Sequence, residues 1–600
     1  MRLPNYTLIG LFSMPGVLAN LLGPTYPPPR DLSSSNSRVA ASWKNLTSQL
    51  NAYLDGHANG TSGVSALKNL TFSAGLFSTL DPKAEHLQYH HTASEVAESP
   101  IGAKKVDGDS IYKVASVSKL FTVLAGLLEL DDKDWERPLT DIFPSLAEQV
   151  RGNRDKFQLT RDVQWDKITL KAIASQMSGI PHGGTAEFLY KFALAKISGS
   201  HNPKATDPNF YGLPPLNDSD LSLWPPCIGD QVQGCNPVPW DEGYAASAPV
   251  FLPWASPEYA NNNFALLGLA ISNLTGKTMD GWYGESIFDP LGMKSTFSSP
   301  PDNSSLSHHV TAETLQPEFQ MDGGATIPSG GLFSTTNDLA KFGVGLLNST
   351  LLPSEKTHEW MKPVTRTASL RYSVGKPWEI HRFVHAKSGI VTDIYTKLGD
   401  SGSYGGIVAI IPEFSAGFSF LGASSLASRS PLMLLAIDLI TDSILPALME
   451  QAACEAKQKF AGTYKAESLN SSITFSVVPP MQPEPGLKIS SWVSNGTDLM
   501  PQFEALFSGK NVRLVPTIVP EDVSGKIAFR SYTSPDVKPN VGIGASSNLF
   551  SSLYDVSKWL TLDSLLWGAF ATDLFIFDVE KDGKVKAVTP TAYRVKMEKK

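Results

Sequence analysis

Around residue 112 the chain changes texture twice within twenty positions. A short extended-looking piece, Ile111 to Val114, runs into Ala115-Ser116-Val117-Ser118-Lys119-Leu120-Phe121, and a mostly apolar run follows from Thr122 to Leu130. That pattern predicts a strand end turning into a buried helix, with Ser116 at the helix start and Lys119 one turn further along. Elsewhere, helical periodicity covers Ala40 to Leu54 and Ile168 to Ser175, the second ending at the stop Ser178-Gly179-Ile180-Pro181. Strands are predicted over Asn69 to Thr79 and Leu87 to Ser94.

Further on, Ser256 to Gly268 is a polar turn entering an apolar helix, and Asn337 is the expected N-cap of another helix. Tyr395 to Asp400, a Gly/Ser turn and Ile407 to Ile411 form a hairpin pattern, followed by a strand over Phe418 to Ala423. A long amphipathic helix is predicted over Pro431 to Cys454; Asp438 and Asp442 within it argue for packing on a sheet. From Phe460 onward short alternating segments with turn signals continue to a charged tail, the pattern of a small all-β domain. Residues 182–255, by contrast, are Pro/Gly-rich and irregular, long enough to be expected as an insertion on the substrate side.

Six hundred residues exceed one hydrophobic core, so the division expected is 1–19, 20–455 and 456–600. The first piece has Arg2, an apolar stretch from Tyr6 to Leu18 and small residues at Val17-Leu18-Ala19, which predicts a secretory signal peptide too short to span a membrane. Past residue 19, nine Asn-x-Ser/Thr triplets, headed by Asn45, Asn59, Asn69, Asn217, Asn273, Asn303, Asn348, Asn470 and Asn495, fit a secreted glycoprotein. Of three cysteines, Cys227 and Cys235 could close a local disulfide, leaving Cys454 as a buried thiol. The net charge of −8 gives no reason to expect nucleic acid or an anionic membrane as partner. His90-His91 and His308-His309 are adjacent pairs without zinc spacing, expected to be solvated or at strand edges, so neither metal nor cofactor is expected.

A serine hydroxyl attacks a carbonyl only when a neighbour takes its proton, and a lysine in an apolar helix is inclined to be neutral. Ser116 and Lys119 supply that pair. Three other Ser-x-x-Lys pairs occur, at Ser65/Lys68, Ser110/Lys113 and Ser373/Lys376, and none opens a long apolar helix. Tyr259 and Asn261 can project from one loop as proton carrier and amide donor, and the strand after Tyr395, expected as an edge strand, offers Lys397 and a free N–H for an oxyanion hole.

Together these clusters resemble the serine β-lactamase and penicillin-binding-protein-like family, nearest its class C β-lactamase and esterase branch. The motifs are Ser116-x-x-Lys119, Tyr259-x-Asn261 and Lys397-Leu398-Gly399, supported by Ser178-Gly179-Ile180-Pro181 and Gly330-Gly331-Leu332-Phe333-Ser334-Thr335. The resemblance spans about residues 40–450, and the β-rich remainder resembles a domain appended to some fungal members. Lys387-Ser388-Gly389 is a more literal third motif, but it stands too far before Pro412 to open the family's hairpin.

The resemblance implies an α/β (α+β) transpeptidase-like antiparallel sheet flanked by helices, with a helical subdomain. Ser116 would form an acyl-enzyme, with Lys119 and Tyr259 passing the proton; which of them is the base stays open. The N–H groups of Ser116 and Asp400 would form the oxyanion hole, Asn261, Leu398 and Gly399 would line the substrate, and Lys397 would set a positive potential. Leu398 stands where the family has a hydroxyl that helps bind a carboxylate. Weak β-lactamase activity and a small-molecule ester, thioester or amide substrate are therefore expected. A secreted hydrolase leads; an acyltransferase or thioesterase of secondary-metabolite biosynthesis and an inactive binding protein on the same fold remain alternatives.

Overall fold

The structure, a computed structural model, describes residues 23–56, 62–182, 207–215, 248–482, 484–506, 510–518, 525–534, 562–581 and 583–600. The expected signal peptide, Cys227 and Cys235, Asn59, Asn217 and most of the 182–255 insertion lie outside these residues.

An antiparallel eight-stranded sheet organises the first two thirds of the chain. Its strands are β1 (Thr71–Ser78), β2 (Gln88–His91), β5 (Thr365–Arg366), β6 (Tyr372–Val374), β7 (Glu379–Val384), β8 (Val391–Ser401), β9 (Tyr404–Ile411) and β10 (Ala416–Ala423), in the order β2-β1-β10-β9-β8-β7-β6-β5. A separate two-stranded piece pairs β3 (Tyr112–Lys113) with β4 (Phe333–Ser334). Every residue of β1, β9 and β10 is buried, so these strands read as near-continuous apolar and small residues: both faces of the sheet centre are covered.

Two cores result. One face packs with α2 (Ser118–Glu129), α3 (Asn261–Thr275) and α4 (Thr336–Leu347). The other packs with α1 (Arg38–Leu54) and α5 (Arg429–Phe460), and that second core runs on into the C-terminal strands. Helix α5 extends beyond the expected 431–454 at both ends, keeps Pro446 inside it, and passes through residue 455 without a break. Among the described residues it is the one helix long and apolar enough to cross a membrane, but its apolar positions pack on α1, the sheet and the C-terminal strands.

Those strands are β11 (Gly462–Ala466), β12 (Ser471–Val478), β13 (Gly486–Ser494), β14 (Lys510–Ile518), β15 (Lys526–Ser534), β16 (Leu574–Val579), β17 (Val585–Pro590) and β18 (Met597–Lys599). Antiparallel pairing from β12 through β11, β18, β17, β16, β15 and β14 to β13 is closed by a β12–β13 pairing, which makes a barrel. Eight strands leave room only for side chains. Tyr464, Phe475, Trp492, Phe575 and Phe577 fill it. The charged tail is therefore a barrel strand, held between β11 and β17.

Four smaller expectations are corrected. Thr335, not Asn337, caps α4, its Oγ1 accepting the Asp338 N–H at 3.1 Å, while Asn337 bonds Gln88 and Asp109 across the chain. His309 is fully buried and stacks on Phe319 at 5.0 Å; His90 and His91 do lie on the edge strand β2. Cys454 is only half-buried. Strand β8 is interior to the sheet, although residues 397–401 run past the last β7 pairing at Glu379/Thr396 and so recover an open edge. The seven sequon asparagines among the described residues are all exposed.

Candidate active site

The turn at the head of α2 lifts one side chain out of the core. Val114 is tied to Leu332 by backbone hydrogen bonding, and Ala115 takes a φ of +47°, a left-handed conformation that costs an L-residue about 1–3 kcal/mol. Ser118 staples the turn, its Oγ donating to the Ala115 carbonyl at 2.7 Å and accepting the Leu332 N–H at 3.0 Å. From Ile111 to Gly126 every residue except Ser116 is buried.

Two proton carriers converge on that hydroxyl. Lys119 Nζ lies 2.9 Å from Ser116 Oγ and Tyr259 Oη 2.6 Å from it. Nζ also donates to Asn261 Oδ1 at 2.8 Å and to the Ser329 carbonyl, so its three protons meet three acceptors. Tyr259 ends the loop before α3, and Asn261 is the first residue of that helix, which explains why a two-residue spacing brings both to one point. Lys119 has no exposed surface, and that burial lowers its pKa to about 8. Burial pushes the Tyr259 phenol up, but the ammonium groups of Lys119 and Lys397 and the hydrogen bonds outweigh it and hold the phenol below its usual range. Each carrier thus moves toward the other, as two sites sharing a proton do.

Lys397 sits across the Tyr259 ring, its Nζ 5.2 Å from the centroid. Its charge does not stand alone. Glu379, at the start of β7, accepts from Lys397 Nζ at 2.5 Å and from the Leu398 N–H at 2.7 Å. Burial opposes the Lys397 charge, yet this carboxylate holds its pKa above the ordinary lysine value. Lys387, the literal alternative, is exposed in the turn between β7 and β8.

Strand alternation sorts the rest of the third motif. Lys397 and Gly399 face the cleft side: a Cβ on Gly399 would stand 2.2 Å from the Val114 carbonyl oxygen and 3.0 Å from Ser116 N, so only glycine lets β8 approach. Leu398 faces the other way and packs against the α5-side core, leaving only its backbone to the cleft. The Leu398 N–H points to Glu379 and not to β9; two residues on, the Asp400 N–H faces the same open side. The Asp400 carboxylate is held by Arg429 and Ser430 of α5.

The structure thus brings Ser116, Lys119, Tyr259, Asn261 and Lys397 together, with Gly399 and Asp400 on the facing strand. Glu379, His182 and the Ser329 carbonyl also belong to the cluster, and sequence reasoning missed them: Glu379 meets Lys397 only through the β7–β8 register, and Ser329 acts through its backbone. Glu258, beside Tyr259, carries a carboxyl raised to about 7 by burial.

Comparison with known proteins follows the same division. A family profile described as "Beta-lactamase" matches residues 88–425, and one described as "Beta-lactamase-like-like, C-terminal domain" matches residues 452–600. A "Beta-lactamase-like protein" of Arthroderma benhamiae is 27% identical over 612 residues, covering 96% of this chain and 94% of that one. "Probable hydrolase clz13" of Cochliobolus lunatus is 28% identical over 450 residues, 70% of this chain and 67% of that one. Among solved structures, an octameric penicillin-binding protein homologue from Pyrococcus abyssi covers 93% of this chain and 99% of its own, at 15% identity and a TM-score of 0.45.

Proposed function

We propose a mechanism from one premise: this chain belongs to the serine β-lactamase and penicillin-binding-protein-like family, as a hydrolase of the β-lactamase-like kind. Ser116 Oγ attacks the carbonyl carbon of a small ester, thioester or amide while its proton passes to the Lys119–Tyr259 pair. In the structure Lys119 Nζ donates toward Ser116 Oγ; in the reactive form, with Nζ neutral, that one hydrogen bond reverses and the hydroxyl donates. Negative charge developing on the carbonyl oxygen is met by the N–H groups of Ser116 and Asp400. Tyr259 returns the proton to the leaving group, and water then cleaves the acyl-enzyme with the pair again taking the proton.

A single observation carries this reading: the hydroxyl and amine of one helix turn and a phenol from a distant loop meet within 2.6–2.9 Å, with the amine fully buried. A substrate without a carboxylate is proposed because Glu379 balances the charge of Lys397 and the side chain at position 398 turns away from the cleft. Secretion is proposed from the leader pattern and the exposed sequons. Reaction with a fluorophosphonate probe, with Ser116→Ala as control, followed by a panel of ester, D-amino-acid amide and lactam substrates, tests it. Labelling confined to Ser116 and faster ester or amide turnover than nitrocefin turnover is expected; folded protein that resists labelling would overturn the reading.

A further inference from the structure

His182 is the first residue of the 182–255 stretch, and four hydrogen bonds tie it to the second motif and the start of α3. Its carbonyl accepts the Asn261 N–H at 2.8 Å and the Asn262 N–H at 3.4 Å, which fixes it against the start of α3. Its Nδ1 lies 2.8 Å from the Tyr259 carbonyl oxygen. A carbonyl can only accept, so Nδ1 carries the proton and, in the neutral imidazole, Nε2 is left as an acceptor. Nε2 faces Asn261 Nδ2 at 3.4 Å. The Asn261 amide therefore donates to His182 at one end and accepts from Lys119 Nζ at 2.8 Å at the other.

We infer that His182 is a positioning residue that fixes which end of the Asn261 amide Lys119 meets. The inference rests on the proposed role of Lys119. A proton on His182 Nε2 would set a donor against the Asn261 NH₂ group. Rotating the amide relieves that clash only by turning the NH₂ toward Lys119, which removes one of the three acceptors of the ammonium and puts a donor in its place.

Two replacements separate positioning from packing. His182→Gln keeps an acceptor for the Asn261 amide; His182→Leu keeps bulk and has no acceptor. With full-length protein, the rate of Ser116 labelling by a fluorophosphonate should fall about tenfold in His182→Leu at neutral pH with little change in melting temperature. In His182→Gln it should stay near wild type. Histidine ¹⁵N spectra read the geometry without any catalysis: His182 should be the Nδ1–H tautomer at neutral pH, and the Asn261 side-chain resonances should shift in His182→Leu. An Nε2–H tautomer, Asn261 resonances indifferent to replacement of His182, or a His182→Gln protein labelled as slowly as His182→Leu would overturn the inference. A wild-type protein that is never labelled, with the spectra as expected, would instead locate the failure in the proposed reaction.

Discussion

Lys119 and Phe577 are both without exposed surface, and their surroundings could hardly differ more. Around Lys119 stand a hydroxyl, an amide oxygen, a backbone carbonyl and a phenol ring. Around Phe577 stand the rings of Phe460, Phe475 and Phe529 at 5.1–5.2 Å, with Tyr464 at 6.0 Å. Burying an amine opposes its charge and is tolerated only where acceptors replace water. Burying a ring among rings is favourable outright. The cleft thus spends stability on reactivity, and the barrel supplies stability from a ring cluster in which burial pushes the Tyr464 phenol up. Replacements should separate the two regions cleanly.

The largest effect belongs to the cleft. Ser116→Ala should abolish labelling and Lys119→Met should lower turnover by about 10³-fold or more, with a melting temperature near wild type, since removing a buried amine offsets leaving its three acceptors unpaired. A Lys119→Met protein that melts well below wild type would make the lysine structural. Next comes Phe577→Ala, expected to lose about 3–5 kcal/mol in denaturant unfolding while the surviving folded molecules keep wild-type labelling rates. Loss of labelling in parallel with stability would mean that the barrel shapes the cleft.

Gly399→Ala tests the boundary between cleft and sheet. A Cβ placed 2.2 Å from a backbone oxygen forces β8 away from the Ser116 turn, so labelling should fall about 10²-fold, with about 1–3 kcal/mol of stability lost. Smaller again is the pH effect. With Lys119 lowered to about 8, the reactive form has one proton fewer on the Lys119–Tyr259 pair, so kcat/KM should rise with pH, about tenfold per unit, and level off above about 8. A flat profile between pH 6 and 9 would contradict it. Leu398→Thr should change nitrocefin turnover by less than about threefold, because its side chain lies on the far face of the strand.

How much of this was readable beforehand follows from sequence distance. Ser116 with Lys119, and Tyr259 with Asn261, are local spacings on a helix turn and a loop end, and the chain shows them directly. Strands β1, β2, β8, β9 and β10 and the β-rich end were legible for the same reason, whereas β5, β6 and β7 were not predicted. What escaped depends on register or on closure. Glu379 reaches Lys397 only because β7 pairs with β8 as it does; the barrel closes only through the β12–β13 pairing; His309 is buried by Phe319, which no local pattern announces. Leu398 was read for the hydroxyl it lacks, and the strand's alternation decides which way it faces.

The central claim is that Ser116, Lys119 and Tyr259 act as one proton-sharing unit, and a double-mutant comparison of Ser116 labelling rates tests it most directly. Lys119→Met and Tyr259→Phe should each slow labelling severely, and the double variant should be little slower than the worse single one. Effects that multiply, with each partner contributing independently, would contradict the account.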